Sequence, residues 1–309
     1  MALELELSVV IPVYRSAPIL PELHARLSAA LAKLTSNYEI IFVDDNSEDG
    51  SWQELLRLRE QDPRVRLVQL MKNFGQQRAV LCGLAHSKGK LVVTMDDDLQ
   101  QRPEEIGVLI DHLKTQDLDV VIGRYAAKQH GFLRGLGTKL VKATAQSTVG
   151  IPKTLDLTSF RAMRRQVVEQ VVPLRSTNPV VGFLLFSVTR RIGNVTVSHD
   201  PRRHGDSSYS LRSLINYFLC MVIDYSDLPL RFVGWVGFLA SLTSLGLGAY
   251  YLALYVTGRI GVSGFITQVL LLVFFSGLIL MSLGIIGSYL IRILQAANTR
   301  EMYIVRQTR

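Results

Sequence analysis

From Leu7 to about Gly205 the chain alternates short apolar runs with longer amphipathic stretches. "LSVVIPVY", "YEIIFVDD", "VRLVQL", "KLVVTMDD" and "LDVVIGRY" are continuous apolar runs rich in Val and Ile, the pattern of strands buried on both faces. Between them, Pro18–Leu34, Ser51–Gln61, Gln76–Ala85 and Pro103–Lys114 carry helical patterning. Strand–helix–strand repetition predicts an α/β fold with a mostly parallel sheet covered on both faces. Such sheets gather ligands at the carboxyl ends of their strands.

After Phe232 the pattern changes. Two runs, Phe232 to Val256 and Phe265 to Ile291, hold no Asp, Glu, Lys or Arg, and each exceeds the ~20 residues a helix needs to cross a bilayer core. Their glycines (Gly234, Gly237, Gly246, Gly248; Gly277, Gly284, Gly287) suit close helix packing in lipid. The short loop "TGRIGVSG" makes the pair a hairpin. Arginines cluster on the outer flanks (Arg231, then Arg292, Arg300, Arg306 and Arg309), so positive-inside bias places the N-terminal part and the tail in the cytoplasm. Ahead of the hairpin, Leu211, Leu214, Ile215, Phe218, Leu219 and Val222 recur at helical spacing, as in a helix lying on the leaflet. The expected organisation is a cytoplasmic catalytic domain over 1–210, an interfacial helix over 211–230, a hairpin over 231–292 and a cytoplasmic tail over 293–309.

Composition fits that division. Among 309 residues 48% are hydrophobic, with a mean hydropathy of +0.24, and the excess lies in the hairpin. The net charge of +8 is assigned to an anionic membrane surface and not to nucleic acid. "MALELELSVV" is acidic and lacks a secretory h-region. Cys82 and Cys220 lack metal-ligand spacing and read as core thiols of a reducing compartment. No histidine pair is spaced to hold a metal.

The chemistry gathers at strand ends. Asp44 and Asp45 end the second run; Asp96, Asp97 and Asp98 end the fourth. In an extended chain Asp96 and Asp98 share a face and Asp97 points away. With Gln100 they make an oxygen-rich nest suited to Mn²⁺ or Mg²⁺. The competing reading is an acidic cap on the following helix, since Pro103 and two glutamates supply helix-start chemistry; spacing alone leaves both open. No G-x-G-x-x-G follows the first strand, which argues against a dinucleotide-binding domain.

Taken in order, "SVVIPVY", "IIFVDDNSEDGS", "KNFGQQRAVLCGL", "VTMDDDLQQRPEEI", "VVIGRY", "RRHGDSSYS" and the terminal hairpin resemble the membrane-anchored polyprenyl-phosphate glycosyltransferases of family 2. The resemblance covers almost the whole chain. It implies a Rossmann-like GT-A domain that moves a sugar, with inversion, from a UDP-sugar such as UDP-glucose to a lipid phosphate such as undecaprenyl phosphate, with aminoarabinose, N-acetylhexosamine, galactose and mannose as the alternative sugars. It also implies a homo-oligomer at the cytoplasmic face of the inner membrane. Placed residue by residue, it implies that Pro12 and Tyr14 border the base, that Asp45 holds the uracil, and that Asp96, Asp98 and Gln100 hold the metal and the donor diphosphate. Asp156 aligns with a carboxylate beside the acceptor phosphate. Arg202, Gly205, Ser207 and Tyr209 match an R-x-x-G-x-S-x-Y element whose arginine meets phosphate, and Arg124, Arg134 and Ser207 are further candidates for the acceptor phosphate.

Three positions depart from the pattern. Arg15-Ser16 replaces Asn-Glu after the first strand, "LTSF" follows Asp156 in place of a small residue and an aromatic, and Ser288 replaces an acid near the membrane exit. Two rival readings are a processive polysaccharide synthase and a non-catalytic membrane scaffold. The first normally carries Gln-x-x-Arg-Trp and more spanning helices, which this sequence lacks; the second is opposed by intact acids at 96, 98 and 156.

Overall fold

A computed structural model describes residues 5–125, 152, 154–176, 179–198, 200, 228–258, 264–297 and 301–309. They fall into two compact units, one formed by 1–210 with 300–309 and one by 211–299.

The first unit is built on an eight-stranded sheet in the order β7-β5-β6-β4-β1-β2-β3-β8. The five predicted strands form as β1 (Leu7–Val13), β2 (Tyr38–Asp44), β3 (Val65–Leu70), β4 (Leu91–Thr94) and β5 (Val120–Tyr125). Every residue of β1 and β2 is buried, as continuous apolar runs require. α1 (Leu20–Ala32), α2 (Ser51–Gln61), α3 (Gln76–His86) and α4 (Ile106–Thr115) fall where helical spacing placed them, and Pro103–Glu105 form a single 3-10 turn leading into α4. On α1 the buried Leu20, Leu23, Leu27, Ala30 and Leu31 form one stripe along the core. Phe42 of β2 and Phe160, just ahead of β6, are fully buried in the core, each stabilising the fold by roughly 2–3 kcal/mol relative to exposure.

β1 pairs in parallel with both β2 and β4. The chain therefore leaves β1 first to one side and later to the other, which opens a crevice at the carboxyl ends of β1 and β4. Beyond β4 the sheet is mixed. β6 (Arg161–Arg164) runs antiparallel to β4 and β5, whereas β7 (Ile192–Val197) runs parallel to β5. α5 (Arg165–Val171) and α6 (Val181–Val188) lie between them in sequence.

The second unit contains α7 (Leu228–Val256) and α8 (Gly264–Ala297). Within them Phe232–Val256 and Thr267–Ile291 are long and apolar enough to cross a bilayer, and only 17% and 11% of their most apolar windows are buried, unlike the core helix of a soluble domain. The two helices touch along Gly237, Ser241 and Ser244 on one side and Leu270, Phe274, Gly277 and Met281 on the other. This three–four alternation is that of a paired-helix seam. At Gly237 an added Cβ would stand 2.5 Å from the Gly277 carbonyl oxygen, so only glycine permits the approach. Ser241 Oγ donates to the Phe274 carbonyl at 3.0 Å and Ser244 Oγ to that of Leu270. The predicted interfacial helix, 211–227, lies outside the described residues.

The tail holds structure that the sequence did not announce. β8 (Val305–Thr308) runs antiparallel to β3 and closes that edge of the sheet.

Candidate active site

The site stands at the carboxyl end of β4, on the side of β6 and β5. β4 ends at Thr94, and the acids follow in a loop that Leu99, at φ 58°, turns back on itself. Asp96, Asp98 and Gln100 nevertheless share one cleft of about 330 Å³, lined also by Gln101, Tyr125, Leu157, Thr158 and Ser159. Asp97 turns the other way, as the alternation predicts. Its Oδ2 accepts from Ser16 Oγ at 2.5 Å and from the Tyr14 amide at 3.3 Å, tying the acidic loop to the end of β1.

Asp96 is heavily anchored. Its Oδ1 accepts from Gln76 Nε2 at 2.5 Å, and its Oδ2 from Ser159 Oγ at 2.5 Å and Gln101 Nε2 at 2.8 Å. The Gln101 carbonyl takes the Asp96 amide at 2.9 Å, and its Nε2 also donates to Ser159 Oγ at 2.7 Å. Gln101 is only 3% exposed, so a buried amide joins the acidic loop to the segment before β6. The Asp98 carboxylate accepts from the Gln100 amide at 3.1 Å.

Burial pushes Asp96 up to about 6; hydrogen bonding from Ser159 opposes the rise and the charge of Asp98 adds to it. Burial likewise raises Asp97 to about 7 against its bonds from Ser16 and Tyr14, with Asp96 and Asp98 adding. Crowded carboxylates of this kind gain from a cation. No group of three or more His, Cys, Asp or Glu with metal-binding geometry occurs among the described residues. Two carboxylates and an amide oxygen still fit a hard ion such as Mg²⁺, which usually takes one or two protein carboxylates and completes its shell with water and substrate phosphate. Tyr125, at the end of β5, has its phenol raised to about 12 by burial, with the charge of Asp96 adding.

Two strands along the sheet from β4, at the end of β2, Asp45 is 3% exposed. Its oxygens accept from the Phe74 and Gly75 amides, both at 2.7 Å. Gly75, at φ 88°, makes the turn into α3, and α3 in turn carries Gln76 to Asp96. Burial raises the Asp45 carboxyl in spite of those two bonds. Pro12 is buried in β1 opposite Val43, whereas Tyr14 just beyond it is 43% exposed. Of the two residues replacing the expected Asn-Glu, Ser16 holds Asp97, and Arg15 lies over the Tyr14 ring at 5.2 Å and pairs with Glu48 at 3.3 Å.

Asp156 is fixed through its main chain, since Asn194 on β7 accepts its amide at 2.8 Å and donates to its carbonyl at 3.0 Å. Leu157, Thr158 and Ser159, directly after it, line the cleft. Arg124 is an exposed residue of β5 beside Tyr125. Arg134, Arg202, Gly205, Ser207 and Tyr209 lie outside the described residues.

Residues 8–172 match the model of the family "Glycosyl transferase family 2". The undecaprenyl-phosphate 4-deoxy-4-formamido-L-arabinose transferase of Aeromonas hydrophila is 32% identical over 308 residues, covering 97% of this chain and 93% of that protein. The enzyme of the same name from Pseudomonas aeruginosa is 33% identical over 303 residues, covering 97% and 89%. Among solved structures, glucosyl-3-phosphoglycerate synthase of Mycobacterium tuberculosis, in complex with Mn²⁺, UDP and phosphoglyceric acid, superposes with a TM-score of 0.53 at 18% identity, over 71% of this chain and 76% of that one. That likeness shows the GT-A fold. From the family match, the near full-length kinship and the fold together, this enzyme belongs to glycosyl transferase family 2, in the branch that holds the undecaprenyl-phosphate sugar transferases.

Proposed function

We propose that the chain transfers a sugar from a UDP-sugar to undecaprenyl phosphate at the cytoplasmic face of the inner membrane, with inversion at the anomeric carbon. The observation that carries this reading is the cleft beyond the end of β4, walled by Tyr125 of β5 and the segment before β6, where Asp96, Asp98 and Gln100 converge. The donor nucleotide lies toward Pro12, Tyr14 and Asp45, and the donor diphosphate toward Asp98 and Gln100. A Mn²⁺ or Mg²⁺ ion held by Asp96, Asp98 and Gln100 would supply countercharge to the departing diphosphate. Gln76, Gln101 and Ser159 fix the Asp96 carboxylate before substrate arrives, so that little reorganisation remains to be done.

The acceptor needs little activation, because a phosphate monoester with a second pKa near ~6 is mostly dianionic at neutral pH. Asp156, on a main chain clamped by Asn194, then positions the acceptor and shapes the local field; general base is the second role to test. Arg124, Arg134, Arg202 and Ser207 are the candidates to hold the lipid phosphate. The two apolar helices anchor the enzyme where that lipid resides.

The names of the relatives change which sugar is tested first. They point to 4-deoxy-4-formamido-L-arabinose ahead of glucose. The donor site itself is tested by titrating UDP into the purified protein with Mn²⁺. Binding that disappears with EDTA and in Asp98→Ala supports the reading; binding of equal strength in all three conditions contradicts it.

A further inference from the structure

Asp44, Gln69 and Gln307 stand opposite one another on three adjacent strands. β2 pairs Asp44 with Gln69 of β3, and β3 pairs Gln69 with Gln307 of β8. Directly opposed residues in neighbouring strands share a face of the sheet, and these three are joined. Gln307 Nε2 donates to Gln69 Oε1 at 2.8 Å, and Gln69 Nε2 donates to Asp44 Oδ2 at 3.1 Å. The other oxygen of Asp44 accepts the Ser47 amide at 3.1 Å, and Ser47 Oγ accepts the Arg15 amide at 3.1 Å. The line therefore runs from the C-terminal strand to the residues beside Tyr14. A parallel line runs through the main chain. The Met71 amide donates to the Ile304 carbonyl at 2.9 Å, and Arg306 donates to the Met71 carbonyl at 3.1 Å. Met71 opens the loop whose Phe74 and Gly75 amides Asp45 grips.

Polarity makes the first line more than packing. Asp44 is fully buried and Gln69 is 7% exposed. A primary amide offers an acceptor at one end and donors at the other. Because Gln307 donates to the oxygen of Gln69, the Gln69 NH₂ is left facing the buried carboxylate. Were the amide reversed, two oxygens would oppose each other away from water, at the cost of a lost bond and an unsatisfied buried group.

We propose that Gln307, beyond the apolar hairpin in sequence, is a positioning residue for the nucleotide end of the cleft, acting through the orientation of Gln69 on Asp44 and the turn to Ser47. The proposal rests on the reading that this end takes the donor nucleotide.

The test uses the full chain and two replacements of opposite meaning. Gln307→Glu can only accept, so it draws the Gln69 NH₂ away from Asp44; Gln307→Met merely removes the donor. Glu is expected to raise the dissociation constant of UDP with Mn²⁺ about 10-fold and Met about 3-fold, with kcat changing less than either and the lower melting temperature in the Glu variant. In a Gln69→Met background the Glu substitution should have no further effect. Hydrogen exchange of ligand-free protein gives a second readout, faster exchange over residues 44–48 in Gln307→Glu. A Glu effect that persists in Gln69→Met would be long-range charge and would overturn the proposal, as would unchanged UDP affinity together with unchanged exchange. If wild type binds no UDP, the donor reading fails by itself, and exchange over 44–48 alone decides the relay.

Discussion

Gln101 sits at the centre of the acidic loop, and its effect should be read at the metal. Its amide bonds Asp96 twice and Ser159 once. Gln101→Leu removes all three and leaves buried polar groups unmatched. The expected outcome is a loss of about 10- to 100-fold in Mn²⁺ affinity, the usual range for residues that orient a ligand, measured by titration with UDP present. Asp62 gives an independent test in stability. Burial would raise its carboxyl, but bonds from the Arg64 guanidinium, the Arg64 amide and His24 outweigh burial and bring it to about 2. A depressed carboxyl stabilises the fold fully above its unfolded value near 3.8 and loses that contribution as pH falls toward 2. Asp62→Asn should therefore cost about 2 kcal/mol at neutral pH and flatten the pH dependence of unfolding between pH 4 and 2, followed by denaturant melts.

Among the elements, β1 to β5 and α1 to α4 were legible because each carries its own periodicity: unbroken apolar runs for strands covered on both sides, stripes for helices with one buried face. β6, α5, α6, β7 and β8 were not. "RAMR", the four residues of β6, has neither length nor alternation, and its place between β4 and β5 comes from pairing with partners far away in sequence. β8 is likewise a four-residue edge strand, and only β3 gives it a ladder. The site divided in the same way. Spacing put Asp96, Asp98 and Gln100 on one side, as the shared cleft has them, while leaving an acidic helix cap equally open; Gln101 and Ser159, 58 residues apart, and Gln69 with Gln307, 238 apart, meet only through sheet topology. The small residues of the hairpin were visible beforehand, and their seam is testable. At Gly277 a Cβ would stand 2.6 Å from the Gly237 carbonyl oxygen and would strike Ser241 Oγ. Gly277→Leu should force α7 and α8 apart at a cost of about 1–3 kcal/mol, seen as a lower melting temperature in detergent; an unchanged melt would mean that the helices do not meet there.

For the molecule as a whole, the order of parts carries the function. The catalytic sheet takes its last strand from beyond the apolar hairpin, so the chain returns to that sheet after the stretch assigned to the bilayer. On the proposed function, a water-soluble donor and a lipid-borne acceptor would be served by one polypeptide, with the acidic cleft in the first unit and the two long apolar helices in the second. The most direct measurement is transfer of labelled sugar from UDP-4-deoxy-4-formamido-L-arabinose and UDP-glucose to undecaprenyl phosphate in detergent with Mn²⁺, comparing wild type with Asp98→Ala. The expected result is a labelled lipid from one donor, abolished by EDTA and reduced about 100-fold or more in the variant. Folded wild-type protein that binds Mn²⁺ and UDP yet labels no lipid from either donor would contradict the account.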